Sequence, residues 1–207
     1  MDEQHIKHAL HALADIDKDI AQTFDKIGLP SPRIRPAGFE TFLNTIVSQQ
    51  ISTRAADTIW GRISNLMPNI DAKTLLTIPD KSLREAGLSK RKMEYAQGLS
   101  LAIITGDFNP DDLIEMSDSD AIEAITKIRG FGRWSAEIYL MFSLQRQDIF
   151  PADDLILLTS LQKIKNLPER PTPKKARELI KHWSPWRSTG SLFLWHYHSQ
   201  SKALHKS

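Results

Sequence analysis

Two short stretches of the chain hold residue types at a spacing that could do chemistry. In Ile128-Arg129-Gly130-Phe131-Gly132-Arg133, two glycines flank one apolar residue. Glycine accepts positive φ and has no side chain, so such a turn lets the backbone come close to a phosphate while the helix that follows points its amides at it. Contacts of that kind hold a nucleic acid without reading its sequence. A lone Gly-x-Gly is more commonly an ordinary turn between helices. Further on, Phe150-Pro151-Ala152-Asp153-Asp154-Leu155 sets two carboxylates behind a proline. Taken alone this is a helix opening, since proline suits the first turn and acidic groups there favour the helix dipole.

Three other features invite a chemical reading. Lys90-Arg91-Lys92 follows Ser89 at an expected helix start, where cations suit phosphates but also commonly make a solvated face. Ser48-Gln49-Gln50-Ile51-Ser52-Thr53 is a short polar-flanked tip that, read plainly, is a turn with a buried isoleucine. His5, His8 and His11 recur every three residues; without further ligands they read as one solvated helix face rather than a metal site.

These residues need helices to position them. Nearly every apolar stretch repeats at three and four rather than two, with Pro, Gly, Ser, Asn and Asp between stretches, which predicts an all-α chain. The first helix is expected to carry Ile6, Leu10, Leu13, Ile16, Ile20 and Phe24 on one stripe and to end at Gly28. After a linker with Pro30, Pro32 and Pro36, a second helix from Phe39 buries Phe42, Leu43, Ile46 and Val47, and Ser52 caps a third with Ala56, Ile59 and Ile63 inward. Short helices over 72–78 and 81–86 precede a longer one capped by Ser89, with Met93, Ala96 and Leu99 inward. Ser119 is expected to open the helix that leads to Ile128, and Arg133 to Leu144 to form the helix beyond the glycine turn. A leucine-rich helix follows Pro151, and two more, over 174–183 and 186–199, follow Pro168, Pro171 and Pro173.

Composition narrows the partners. No cysteine occurs, which excludes disulfides, iron–sulfur clusters and cysteine-bound zinc, and fits a reducing compartment. The N-terminal stretch has no long apolar run, and a cytoplasmic protein is expected, nucleoid-associated in a bacterial cell. A net charge of +2 suits a nucleic-acid partner only if the basic groups gather on one face.

With its flanks included, the hairpin resembles that of the helix-hairpin-helix (HhH-GPD) DNA glycosylase superfamily, which usually reads L-P-G-x-G, then an aromatic or basic residue, then T-A or S-A. Ile128 to Gly132 with Trp134-Ser135-Ala136 follows it, with Arg129 at the usual proline. The resemblance covers most of the chain and implies DNA contacts from Arg129, Gly130, Phe131, Gly132 and Arg133. It also implies a sodium or potassium ion on the main-chain carbonyls of Thr126, Ile128 and Phe131, and no other cofactor. Asp154 aligns with the family's essential carboxylate, leaving Asp153 as a capping or positioning group. Breaking an N-glycosidic bond develops positive charge on the sugar, which a preorganised anion stabilises. The same group can orient or deprotonate the attacking water.

Within the superfamily the chain is similar to the 3-methyladenine DNA glycosylase II branch. Trp134 stands where relatives with lyase activity carry a lysine whose amine attacks the sugar, which implies simple hydrolysis. Trp183-Ser184-Pro185-Trp186-Arg187-Ser188 with Trp195 looks like the branch's W-x-P-W-R-S block and distal tryptophan. Trp134 and Trp195 are then pocket residues whose faces attract a cationic alkylated purine by ~0.5–2 kcal/mol, while Trp60 and Trp183 read as core. Ile138 and Leu155 stand where the bacterial enzymes have pocket tyrosines. Gln50 and Ile51 match the stretch whose side chains enter the base stack when a nucleotide is flipped out, and Lys90 and Arg91 lie in another matching segment.

The fold so implied has two helical lobes, residues 34–146 with the hairpin and residues 1–33 with 147–207, an active-site cleft between them, and no N-terminal β domain. The implied function is removal of alkylated purines from duplex DNA by a monomer. A lesion- or abasic-site-binding relative with little turnover, and a glycosylase for a different damaged base, remain open.

Overall fold

The computed structural model describes residues 1–204. Its helices are α1 (Glu3–Ile16), α2 (Lys18–Ile27), α3 (Phe39–Ser48), α4 (Thr53–Leu66), α5 (Ala72–Thr77), α6 (Asp80–Ala86), α7 (Lys90–Thr105), α8 (Asp118–Lys127), α9 (Arg133–Phe142), α10 (Leu155–Ile164), α11 (Pro173–Leu179) and α12 (Arg187–Leu204). Single 3-10 turns lie over Pro110–Ile114 and Lys181–Trp183, and no strand occurs among the described residues. None of the described helices is long and apolar enough to cross a membrane. The chain divides into two compact units, residues 1–34 with 140–207, and residues 35–139.

In the unit of residues 35–139 α3 packs against α4 and α7, and α3, α4, α7 and α8 bury Phe42, Leu43, Ile46, Val47, Ile63, Met93, Leu99 and Ile125. Phe42 is the hub for the rings. It stacks on Tyr139 with centroids 4.1 Å apart and takes the edges of Phe108 and Phe131 at 5.5 and 5.3 Å, spacings typical of attractive aromatic pairs. Phe131 is the apolar residue of the glycine turn, so that turn is moored to the core by its one large side chain. Ser117, not Ser119, caps α8: its hydroxyl accepts the Asp120 amide at 3.2 Å, and Ser119 falls inside the first turn.

The unit formed by the two ends of the chain has its own core, with Leu10, Leu13, Ile20, Phe150, Leu157, Leu161, Ile180, Trp183 and Phe193 in one cluster. Here the expected first helix is two helices. Asp17 leaves the helical conformation (φ −139, ψ 100), and its carboxylate accepts the amides of Asp19 and Ile20, so it closes α1 and caps α2. A side chain that offers the backbone an alternative partner outcompetes continued helix, and Ile16 is left exposed. Lys165 Nζ reaches both oxygens of Asp17 at 2.6 Å, Trp183 Nε1 donates to one at 2.6 Å, and His182 Nε2 lies 3.0 Å away. Burial pushes Asp17 up, but these hydrogen bonds and the Lys165 charge outweigh it and hold the carboxyl at about 2. Two further boundaries differ. α9 ends at Phe142 because Gln145 turns left-handed (φ 58) and Arg146 N–H closes on Leu140 O at 2.9 Å. The helix expected over 174–183 is α11 followed by the 3-10 turn at Lys181–Trp183.

Candidate functional site

The hairpin between α8 and α9 is closed by Phe131 N–H donating to Ile128 O at 3.1 Å. Gly130 has φ +103, and a Cβ there would lie 2.6 Å from Tyr95 Cδ2, so the fold itself requires glycine. Gly132 is different. A Cβ there meets no heavy atom within 4 Å, and Gly132 and Arg133 are exposed at the head of α9, where the first amides have no intrahelical acceptor. The Phe131 ring is buried, so of this residue only the main chain is offered to a ligand.

Two arginines picked out at distant points in the sequence meet on one ring. Arg91 and Arg129 lie over Tyr95 at 5.3 and 5.6 Å, Arg91 Nε donates to the Tyr95 hydroxyl at 2.6 Å, and Arg129 pairs with Glu94 at 3.5 Å. Arg133 Nε bonds the buried Glu137 at 2.9 Å, and Lys90 is exposed. The run of three cations is not one surface, because Lys92 turns inward. Its Nζ donates to Val47 O at 2.7 Å, and burial lowers its pKa.

The tip between α3 and α4 projects Gln50 and Ile51. Gln50 is exposed and left-handed (φ 57), and Ile51 is 38% exposed, against the plain reading of a buried isoleucine. Ser52 caps α4 by accepting the Ala55 amide. Gln49, which sequence reasoning passed over, turns back and donates from Nε2 to Gly130 O at 2.8 Å. Two adjacent glutamines give no sign of which one faces inward.

Asp154 belongs to the other unit. It is the N-cap of α10, with Oδ1 accepting the amides of Ile156 at 2.8 Å and Leu157 at 3.0 Å. The capping role expected of Asp153 therefore falls to Asp154, and Asp153 is exposed. The reason is the tight turn before it: Asp154 N–H closes on Pro151 O at 2.9 Å, which starts the helix one residue later. Upstream, the segment 146–149 is held by α12. Ser188 Oγ donates to Arg146 O at 2.7 Å and accepts Ile149 N–H at 3.0 Å. Arg187 forks onto Asp148 through two bonds of 2.6 Å, and Ser184 Oγ adds a third at 2.7 Å. Burial raises Asp148, but Arg187 and Ser184 bring it below the usual carboxylate value. Trp183 is fully buried, and a Cβ on Gly190 would lie 2.6 Å from its ring. The tryptophan-rich block thus builds and holds this unit. Its motif gave no hint that Arg187 and Ser188 clamp the chain that leads to Asp154.

The remaining candidates are placed as follows. Trp134 is 42% exposed in the first turn of α9, and Ile138, four residues on and on the same face, is buried. Leu155 is 57% exposed beside Asp154. Trp195 is half-buried, with Phe142 at 5.8 Å and the Arg33 guanidinium 6.0 Å from its ring centroid. His5 and His8 pack edge-on to Trp186 and His11 to Phe24, so this face is partly an aromatic contact, and no metal-ligating cluster occurs among the described residues.

The glycine hairpin on an all-helical frame defines a helix-hairpin-helix protein. The sequence pattern of the family described as HhH-GPD superfamily base excision DNA repair protein matches residues 43–185, and the chain belongs to that superfamily. It is 31% identical over 161 residues to DNA-3-methyladenine glycosylase 1 of Schizosaccharomyces pombe, covering 76% of this chain and 71% of that protein. Among solved structures it is similar to a DNA-3-methyladenine glycosidase from Bacillus halodurans, with TM-score 0.84, 29% identity and coverage of 92% and 88% of the two chains. A 3-methyladenine DNA glycosylase of Schizosaccharomyces pombe in complex with abasic DNA has TM-score 0.81, 26% identity and coverage of 94% and 97%.

Proposed function

We propose that the protein is a monofunctional DNA glycosylase that flips an alkylated purine, of the 3-methyladenine or 7-methylguanine type, out of duplex DNA and releases it by hydrolysis, acting as a monomer. The observation that carries this reading is the Asp154 carboxylate at the head of α10, oriented by two main-chain amides, in a chain of the base excision superfamily. Its similarity to 3-methyladenine DNA glycosylases supports the choice of alkylated bases. As the bond between sugar and base breaks, positive charge grows on the sugar; Asp154 stabilises it and orients the water that attacks, giving free base and an abasic site. Trp134 offers no amine, so no covalent sugar adduct forms. Trp134 and Trp195 supply aromatic faces that favour a cationic base. The hairpin amides and Arg129 hold the phosphates, and Gln50 and Ile51 fill the vacated stack.

A sodium or potassium ion on the carbonyls of Thr126, Ile128 and Phe131 belongs to the same proposal. The Thr126 and Ile128 carbonyls, at the C-terminal end of α8, are hard oxygen donors at the negative end of the helix dipole, and Phe131 would add a third from the turn. The Ile128 oxygen, which accepts the Phe131 amide, has a second lone pair for an ion.

The test is base release from duplexes carrying single lesions. Free 3-methyladenine or 7-methylguanine is expected from the wild type, about 10²-fold less or lower still from Asp154→Asn, and no adduct with borohydride. A trapped adduct would reveal an amine nucleophile and reject the role given to Trp134. A lesion-binding relative with little turnover is the second reading, favoured by the aliphatic Ile138 and Leu155 where the branch has tyrosines. Equal release by the wild type and Asp154→Asn would select it, and release of a base outside the alkylated purines would redirect the substrate class.

A further inference from the structure

Gln49 Nε2 donates to the main-chain oxygen of Gly130 at 2.8 Å across 81 residues of sequence, joining the α3–α4 tip to the hairpin. Both ends of this bond are fixed points. Gly130 has φ +103 and sits so close to Tyr95 that a Cβ would fall 2.6 Å from its ring, which fixes its backbone against that side chain. Gln49 closes α3 through its own N–H on Ile46 O at 3.3 Å, and two residues earlier Val47 O accepts Lys92 Nζ at 2.7 Å. Beyond these ties the chain changes character. Gln50 takes φ 57, a conformation uncommon for a residue with a Cβ, and Ile51 stands 38% exposed before Ser52 caps α4. A strained residue persists when its surroundings over-determine it, and here the ties are Gln49 on one side and Ser52 on the other.

We propose that Gln49 is the positioning residue of the tip: its amide on the Gly130 oxygen sets the height of Gln50 and Ile51 over the hairpin, so that gripping the phosphates and entering the base stack occur in one register. This rests on the tip being the stack-filling element of the proposed function. Without the bond, Gln50 relaxes and Ile51 loses its place, while the hairpin keeps its own hold on the phosphates. The loss therefore falls on lesion recognition and spares general duplex binding.

The test uses two duplexes, one undamaged and one with a tetrahydrofuran abasic analogue next to 2-aminopurine, whose fluorescence rises on unstacking. Gln49→Met keeps the side-chain length and removes the donor; Gln49→Lys keeps a donor. Gln49→Met is expected to bind the undamaged duplex within about twofold of wild type with the same salt dependence. It is expected to lose about tenfold in preference for the abasic duplex, along with most of the fluorescence rise. Gln49→Lys recovers both. Ile51→Ala loses a similar amount, and the Gln49→Met/Ile51→Ala double variant loses no more than the larger single loss, because both act on one insertion. Wild-type preference and fluorescence in Gln49→Met, losses that multiply in the double variant, or an equal drop on both duplexes each overturn the proposal. Should Gln49→Met fold poorly, Gln49→Glu, which sets an acceptor against the Gly130 oxygen, is read in the same way. A wild type with no preference for the abasic duplex removes the stack-filling reading and Gln49's role with it, whereas base release reports separately on the glycosylase reading.

Discussion

Gly130 and Gly132 look alike in the sequence and are glycine for different reasons. Gly130 is required from inside, by its φ of +103 and by the Tyr95 ring, whereas nothing within 4 Å of a Cβ at Gly132 demands the absence of a side chain. Gly130→Ala is expected to cost about 2–4 kcal/mol in denaturant melts, from strain and overpacking together. Gly132→Ala is expected to leave stability within about 0.5 kcal/mol while weakening duplex binding about tenfold, because in the proposed grip the added methyl stands where a phosphate approaches. Equal destabilisation by the two would show that Gly132 also serves the fold. The turn's importance was legible from its pattern; the division of labour was not, because it depends on Tyr95, which is remote in sequence. The carboxylates were harder still. Asp153 and Asp154 differ by one register position, and the turn that hands the cap to Asp154 is set by Pro151 O. The observed cap and the proposed catalytic role then fall on one residue, and asparagine separates them. Asp154→Asn keeps a good N-cap and is expected to hold stability within about 0.5 kcal/mol while base release falls about 10²-fold or more. Asp154→Ala loses the cap too, a further ~1 kcal/mol. Parallel melts and single-turnover assays on the two variants check this, and an active Asp154→Asn would dismiss the carboxylate from the chemistry.

Helices were legible wherever an apolar stripe met a capping side chain, as at Ser52 and Ser89, whose hydroxyls accept amides as the sequence led us to expect. Where a polar residue sat within a continuous stripe, periodicity misled. Leu13, Ile16 and Ile20 satisfy a helical repeat, yet Asp17 breaks it because its carboxylate has partners in Lys165, just past α10, and in the turn before α12, which no local pattern reveals. The block from Trp183 to Ser188 was recognisable as a motif, but its task was not. It acts as a brace, with Trp183 in the core, Arg187 on Asp148 and Ser188 on the backbone of Arg146 and Ile149. At Gly190 α12 passes so near Trp183 that a Cβ would lie only 2.6 Å from the ring. Gly190→Ala is expected to destabilise by about 1–3 kcal/mol through overpacking, despite alanine's better helix propensity, which alone would favour the variant by about 1 kcal/mol. A stabilised Gly190→Ala protein in thermal melts would mean that Trp183 yields easily and does not brace the element.

Over the whole molecule, 27 basic residues against 25 acidic ones leave a net charge of +2. In the proposed binding mode duplex affinity comes from a few cations and the hairpin amides, with Arg129 and Arg133 already facing Glu94 and Glu137. The slope of log affinity against log salt is accordingly expected near −2 to −4, from about two to four phosphate contacts; a slope of about −8 in a salt titration would reveal a basic surface other than the hairpin. Stability against pH is a second property of the whole chain, and Asp17 contributes to its acid limb, as Asp148 does in the same direction. The Asp17 carboxyl sits at about 2 in the fold against an ordinary 3.8. A carboxyl depressed on folding gives stability that is complete above its unfolded value and lost as pH falls through its folded one. The window therefore runs from about pH 4 down to about pH 2, and the amount lost is about 2 kcal/mol. Asp17→Asn removes that ionisation and leaves Lys165 beside a neutral amide, so it is less stable than wild type at neutral pH. The gap between the two proteins, followed by urea melts from pH 6 to pH 2, is expected to narrow by about 2 kcal/mol as the acid limb is crossed. A constant gap would show that the charge on Asp17 contributes nothing and that its hydrogen bonds act as they would from a neutral group.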